Sequence, residues 1–168
     1  MRGKHVVASM PTDLALIQEL YAYNSRTRAK YLAAIWKLSP RARYRNRGAS
    51  FPSLVDIFMH VLDAYRQWFL MVYAGEGEPE WYPLGKRYTR AEASREMRSV
   101  DRYVDRVIQN LKPGDLDRSL RIPGHPRLKI ELRVLLVHMI EEELQHRGEM
   151  NALLWQAGRD PPVTGFDD

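Results

Sequence analysis

The stretch from Leu132 to Trp155 constrains this chain more than any other. Leu132, Leu135, Leu136, Met139, Met150, Leu153 and Leu154 recur at helical spacing and make one apolar stripe along a long helix. On a wheel of ~100° per residue, Glu142 and His146 fall within that stripe. An unpaired carboxylate or imidazolium facing a core is costly, so the pair needs a partner. A metal ion is one such partner. Residues four apart lie one above the other on a helix face, and a carboxylate and an imidazole so placed can share a cation.

The rest of the chain supplies three more long helical patterns and no clear strand alternation. The first starts near Thr12-Asp13, either of which can cap it, and carries Leu14, Ile17, Leu20, Tyr21, Tyr31, Leu32, Ile35 and Leu38 before Pro40 ends it. A polar, basic loop follows to Pro52. The second starts at Ser53, a cap candidate, and runs through Leu54, Ile57, Phe58, Val61, Leu62, Tyr65, Trp68, Phe69 and Val72 to the breaker Gly75-Glu-Gly-Glu-Pro79. The segment Trp81-Tyr-Pro-Leu-Gly85 reads as irregular, its aromatics folding over one end of a bundle. The third opens on Thr89-Arg-Ala-Glu92, which fits a capping box, and has thin apolar content (Ala93, Met97, Val100, Tyr103, Val104, Val107, Ile108, Leu111) among charges. Ile122-Pro-Gly-His-Pro126 reads as a turn-rich connector. The fourth helix is expected from about Lys129 to Ala157, closed by Gly158 as its C′ residue. Four such helices with short to medium loops predict an all-α four-helix bundle, one domain spanning residues 1–168.

Composition narrows the chemistry. There is no cysteine, hence no disulfide, no thiolate zinc ligand and no protein thiol nucleophile, which suits a reducing cytoplasm. No run approaches the ~18 apolar residues of a membrane span, and no signal-peptide core follows the N-terminus. The net charge is +5, with arginine concentrated at Arg41, Arg43, Arg45 and Arg47. Such a cluster can touch phosphates, but no nucleic-acid motif accompanies it, so a solvated loop is the expected reading and nucleic acid is not an expected partner.

The third ligand for Glu142 and His146 is expected from a facing helix, and His60 lies at the edge of the second helix's apolar arc. Two histidines, one carboxylate and an open position form the donor set of a catalytic zinc site, or of nickel or non-haem iron. The bland alternative is that each histidine is a hydrogen-bonded packing residue. Glu143 to His146 also matches the Glu-x-x-His pattern of di-iron bundles. Those need a second copy, and Ile57 and Leu135 stand where its acids would be. His138 falls on the flank of the stripe, as a supporting or surface residue. Tyr23 and Trp68 either pack in the core or line a pocket over the metal. No phosphate loop, nucleophile elbow or zincin motif is present.

Three stretches together resemble the DinB-like superfamily, which includes bacillithiol-type S-transferases and mycothiol-dependent maleylpyruvate isomerases: Leu20-Tyr-Ala-Tyr-Asn24, Ser50-Phe-Pro-Ser to His60, and His138 to Glu149 with the tail Leu153-Leu-Trp-Gln-Ala-Gly-Arg-Asp-Pro-Pro. The resemblance covers nearly the whole chain and is weakest between Gly75 and Lys129. It implies a bundle, often a homodimer, holding one divalent metal on His60, Glu142 and His146. Most such proteins have histidine where Glu142 stands, while the isomerase-like branch has glutamate. Glutamate lowers the net charge of the site by one and weakens the metal as a Lewis acid. The implied activity is transfer or isomerisation of a small-molecule substrate by an activated low-molecular-weight thiol or water, with Asn24, Glu143 or His138 orienting ligands. The alternative expectation is a metal-binding or stress-response dimer with no turnover.

Overall fold

A computed structural model of the protein describes residues 13–165. The cap candidate Thr12 lies outside them, as does His5. Helix α1 runs Asp13–Lys37, a single turn α2 Pro40–Arg43, α3 Leu54–Gln67, α4 Arg90–Asn110 and α5 Leu132–Gln156. The four long helices form a closed ring: α1 packs on α4 and α5, and α3 on the same two. The all-α bundle expected from the sequence is the fold observed.

Most helix boundaries follow from local chemistry. The side chain of Ser53 accepts a hydrogen bond from the Asp56 amide (3.2 Å) and starts α3. Thr89 and Glu92 form a reciprocal capping box at α4, with Thr89 N donating to Glu92 Oε2 at 2.7 Å. Gly158 closes α5 at φ +70°. Arg159 N donates to Leu154 O and Gly158 N to Trp155 O, the two bonds of a Schellman motif. A Cβ would disfavour that positive φ.

The apolar arcs meet as predicted. Ile35, Leu54, Ile57, Leu62, Tyr65, Phe69, Ile108, Leu132, Leu135 and Leu136 are all fully buried. Each such side chain contributes roughly 1.5–3 kcal/mol relative to exposure.

Three expectations change. First, the region before α5 is a β-hairpin, with β1 Ser119–Ile122 antiparallel to β2 His125–Glu131. Pro123-Gly124 is its turn, and Gly124 sits at φ +77°, as a type II turn requires after proline. The strands contribute little to the core beyond Leu120 and the half-buried Ile130, which is why no alternation stands out in the sequence. Helix α5 therefore starts at Leu132, not Lys129. Second, α3 widens into a π-helical turn, Trp68–Tyr73, which buries Phe69 and Val72.

Third, the aromatic segment does not fold over an end of the bundle. It runs antiparallel along α3 as a strap, because α3 side chains take its main chain in order. Gln67 Nε2 donates to Pro79 O (2.8 Å), Arg66 donates to Glu80 O, Asp63 Oδ2 accepts from Tyr82 N (2.7 Å), and Asp56 Oδ1 accepts from Gly85 N (2.7 Å). The arginine-rich loop turns two of its cations inward: Arg43 and Arg47 donate to the carbonyls of Leu38 (3.1 Å) and Ala42 (2.7 Å).

Candidate metal centre

Helix α3 presents His60 and the neighbouring α5 presents Glu142 and His146, on the faces where the two helices pack. One ligand atom from each lies within 4.8 Å of the others. His60 Nε2 is 3.2 Å and His146 Nε2 3.1 Å from the same atom, Glu142 Oε1. The imidazole planes cross at 81° with centroids 4.8 Å apart, so the two rings converge without stacking. Phe51 stacks on His60 at 4.1 Å and meets His146 edge-on at 5.6 Å.

The second nitrogen of His146 decides what its Nε2 can do. Nδ1 lies 2.7 Å from Glu149 Oε2 and therefore donates its proton there. Glu149 is in turn held by Ser50, whose Oγ donates to Oε2 (2.7 Å) and whose amide donates to Oε1 (3.3 Å). With the proton on Nδ1, Nε2 turns a lone pair toward an anionic oxygen. That contact is stable only with a second proton on the ring or a cation between the groups. Two imidazole nitrogens and one carboxylate oxygen around a shared point suit a divalent cation of the zinc, nickel or iron kind, and a carboxylate behind a ligating imidazole is the usual support of such sites.

The charge states agree. Burial lowers the His60 pKa below its ordinary value, and the hydrogen bond with Glu142 opposes this without reversing it, so the ring is neutral at pH 7. For Glu142 burial acts upward, but the hydrogen bonds and charge of the two histidines outweigh it and hold the carboxyl below the usual range. Glu149 behaves alike: burial acts upward, and bonds from Ser50 and His146 prevail. Both acids are anionic near neutrality.

The Glu142 side chain is 23% exposed, and the fully buried acid is its neighbour. The centre of the stripe passes nearer Glu143, with Glu142 ~65° to one side on the wheel, which turns Glu142 toward α3. Glu143 is buried in a polar network between α5, α1, α3 and α4. It accepts from Arg28, from Tyr65 Oη (2.8 Å) and from Arg147 Nη2 (3.2 Å). Arg28 also pairs with Asp101 (2.6 Å), and Arg147 donates to Asn24 Oδ1 (2.7 Å) and Tyr23 Oη (3.2 Å). Of the supporting residues expected from sequence, Tyr23, Asn24 and Glu143 thus meet in this network. His138 and Trp68 lie edge-to-face at 5.3 Å, lining a separate groove with Val134, Val137 and Glu141.

Ser50, Phe51 and Glu149 were not singled out by sequence reasoning. The spacing of Glu149, three after His146 and so on the same helix face, was the available signal.

A model of the DinB family matches residues 10–167. The chain belongs to the DinB family. It is 23% identical over 155 residues to Protein DinB of Bacillus subtilis, covering 88% of this chain and 90% of that one. Two solved DinB-like structures share its fold. One from Bacillus cereus has a TM-score of 0.65 at 19% identity, covering 86% of this chain and 93% of that one. One from B. subtilis has a TM-score of 0.63 at 16% identity, covering 86% and 96%. No helix among the described residues is long and apolar enough to cross a membrane.

Proposed function

We propose that this DinB-family protein is a divalent-metal enzyme that activates a low-molecular-weight thiol or water for transfer to, or isomerisation of, a small-molecule substrate in the cytoplasm. The observation that carries this is the convergence of His60 and His146 on one Glu142 oxygen, with the far nitrogen of His146 locked by Glu149. A divalent cation on this donor set supplies Lewis acidity, lowering the pKa of a water or thiol so that a nucleophile is present near neutral pH. Glu149 holds His146 in the tautomer whose Nε2 is free. Glu142 supplies the one anionic donor and moderates the Lewis acidity. Phe51 covers one face of His60 and limits water there. A chain without cysteine needs its thiol as a cosubstrate.

The test is metal content of purified protein beside His60→Ala and His146→Ala, followed by turnover of chlorodinitrobenzene with a panel of cellular thiols. Wild type is expected to hold one zinc, nickel or iron per chain and each variant to lose it. Metal content unchanged by both substitutions sinks the site. Bound metal without metal-dependent turnover across the panel sinks the enzymatic reading and leaves a metal-binding protein.

The same reading includes a homodimer. Val134, Val137, Leu144 and Trp155 are each at least half exposed along one side of α5, an apolar row that a second copy would cover. Sedimentation of wild type against Val137→Glu decides it: a monomeric wild type ends the proposal.

A further inference from the structure

Between α3 and the strap lies a cleft of about 320 Å³, within the size range of small-ligand pockets. Its walls are Phe51, Met59 and His60 on one side and Trp81, Pro83 and Leu84 on the other. His60 belongs both to this cleft and to the metal triad, so a molecule in the cleft lies beside the candidate metal. Trp81 and Leu84 are 52% and 61% exposed at its rim. Large apolar groups in that position, flanking a concave apolar surface, gain burial when a ligand enters.

The polar groups of the cleft define the charge it accepts. Asp56 and Asp63 also line it, and both are 3% exposed or less. Their oxygens are already taken. Asp56 accepts from Ser53 Oγ (2.5 Å) and Gly85 N (2.7 Å), and Asp63 from Arg66 Nη2 (2.8 Å) and Tyr82 N (2.7 Å). They therefore build the strap rather than ligate a metal. The Arg66 guanidinium is spoken for as well, lying over the Tyr82 ring at 4.2 Å while it pairs with Asp63. Among the described residues that line the cleft no unpaired cation remains. Asp63 is offset by Arg66, but Asp56 takes only neutral donors, so without a metal on His60 the wall carries a net negative charge that disfavours an anion.

We infer that this cleft binds the substrate's flat, uncharged aromatic portion, placing its reactive end beside His60, and that it discriminates against anionic ligands of the same shape. This rests on the metal-enzyme reading for its chemical purpose, but not for the binding itself.

The probes are N-phenyl-1-naphthylamine, neutral and aromatic, and its sulfonated relative 1-anilinonaphthalene-8-sulfonate, titrated by fluorescence into the full chain stripped of metal, since a dication on His60 would attract the sulfonate. The neutral probe is expected to bind saturably and at least tenfold more tightly than the anion at the Trp81-dependent site. Trp81→Ala and Leu84→Ala are each expected to weaken it at least fivefold. Both residues are exposed and outside the core, so these variants keep the fold. Binding of the neutral probe that neither substitution moves overturns the inference, as does Trp81-dependent binding of the anion with equal affinity. His146 does not line the cleft, so His146→Ala, stripped of metal, is expected to bind the neutral probe as wild type does, and loss there overturns the inference. Probe binding in a protein that purifies without metal sinks the metal reading alone. Bound metal without Trp81-dependent probe binding sinks the cleft alone.

Discussion

Glu149→Gln is the most informative single change for the metal centre. Glu149 Oε2 takes the His146 Nδ1 proton at 2.7 Å and the Ser50 hydroxyl at 2.7 Å. Glutamine keeps the shape and one acceptor oxygen but removes the charge, while alanine removes the acceptor and frees the imidazole to turn or change tautomer. Charge-assisted bonds are about twice as strong as neutral ones. Loss of a partner behind a ligating imidazole typically costs ~10–100-fold in metal affinity, which is roughly 1.4–2.8 kcal/mol. The Glu149 side chain is 27% exposed, so water substitutes in part. Glutamine is therefore expected at about tenfold and alanine toward the upper end, about a hundredfold, on the same scale. Ser50→Ala, which only loosens Glu149, should lie between wild type and Glu149→Gln. The assay is competition for zinc against a chromophoric chelator at fixed neutral pH, with circular dichroism to show that the helices persist. Affinity of Glu149→Ala within twofold of wild type would refute the role given to this carboxylate.

The buried network and the acid response give two further expectations. Glu143→Gln leaves the Arg28 and Arg147 guanidiniums short of their shared anion, at an expected cost of about 3 kcal/mol. Arg28→Met in the same background should cost clearly less than the sum of the two single changes, by at least 1 kcal/mol in urea midpoints converted at common slope. Strict additivity argues against a coupled pair. As for pH, the folded pKa of His60 lies below the ordinary 6.5 and those of Glu142 and Glu149 below 4.5. The unfolded chain therefore binds these protons first as pH falls. The metal-free protein should lose stability from about pH 6.5 downward through His60, with a further loss below about pH 4.5 through the two acids. His60→Gln should flatten the first part of that decline. An identical slope in wild type and His60→Gln between about pH 7 and pH 5 would show that His60 is not its source.

The bundle was legible because its determinants are local: a Ser53 cap, a Thr89–Glu92 box, a Gly158 terminator and apolar residues at helical period. The hairpin was not, because among the described residues of its strands Leu120 is the only fully buried side chain and a Pro-Gly turn reads equally as a connector. The strap's course was hidden for a different reason. Asp56, Asp63 and Gln67 sit on a mostly apolar helix, and only the fold reveals that their partners are main-chain groups of residues 79–85. The candidate ligands were readable from the spacing of Glu142 and His146 together with a histidine on a second helix. Their support was less so. Asn24 and Arg28 fill the gap between Tyr21 and Tyr31 on the buried face of α1. That gap could have announced a polar core, but the identity of the anion they meet depends on how α5 is turned.

That rotation links the network to the metal centre. On α5, Glu142, His146 and Glu149 face α3 and the loop before it, while Glu143 and Arg147 point toward α1. Two polar sets with different partners share less than three turns of one helix. An apolar stripe alone tolerates a helix turning by some tens of degrees, since one leucine replaces another in the same groove. A carboxylate that must meet Arg28 of α1 and Tyr65 of α3 together does not. A turn of one residue, ~100°, would place Glu142 against Arg28 and Tyr65 and leave Glu143 at the surface. The network therefore determines which of three consecutive glutamates, Glu141 to Glu143, reaches His60 on the facing helix. Coupling between Arg28 and Glu143 accompanied by a loss of zinc affinity, although neither residue touches the triad's ligand atoms, is the result this geometry requires. Zinc affinity that stays at wild-type strength in a folded Glu143→Gln protein would mean that α5 is held in register by packing alone.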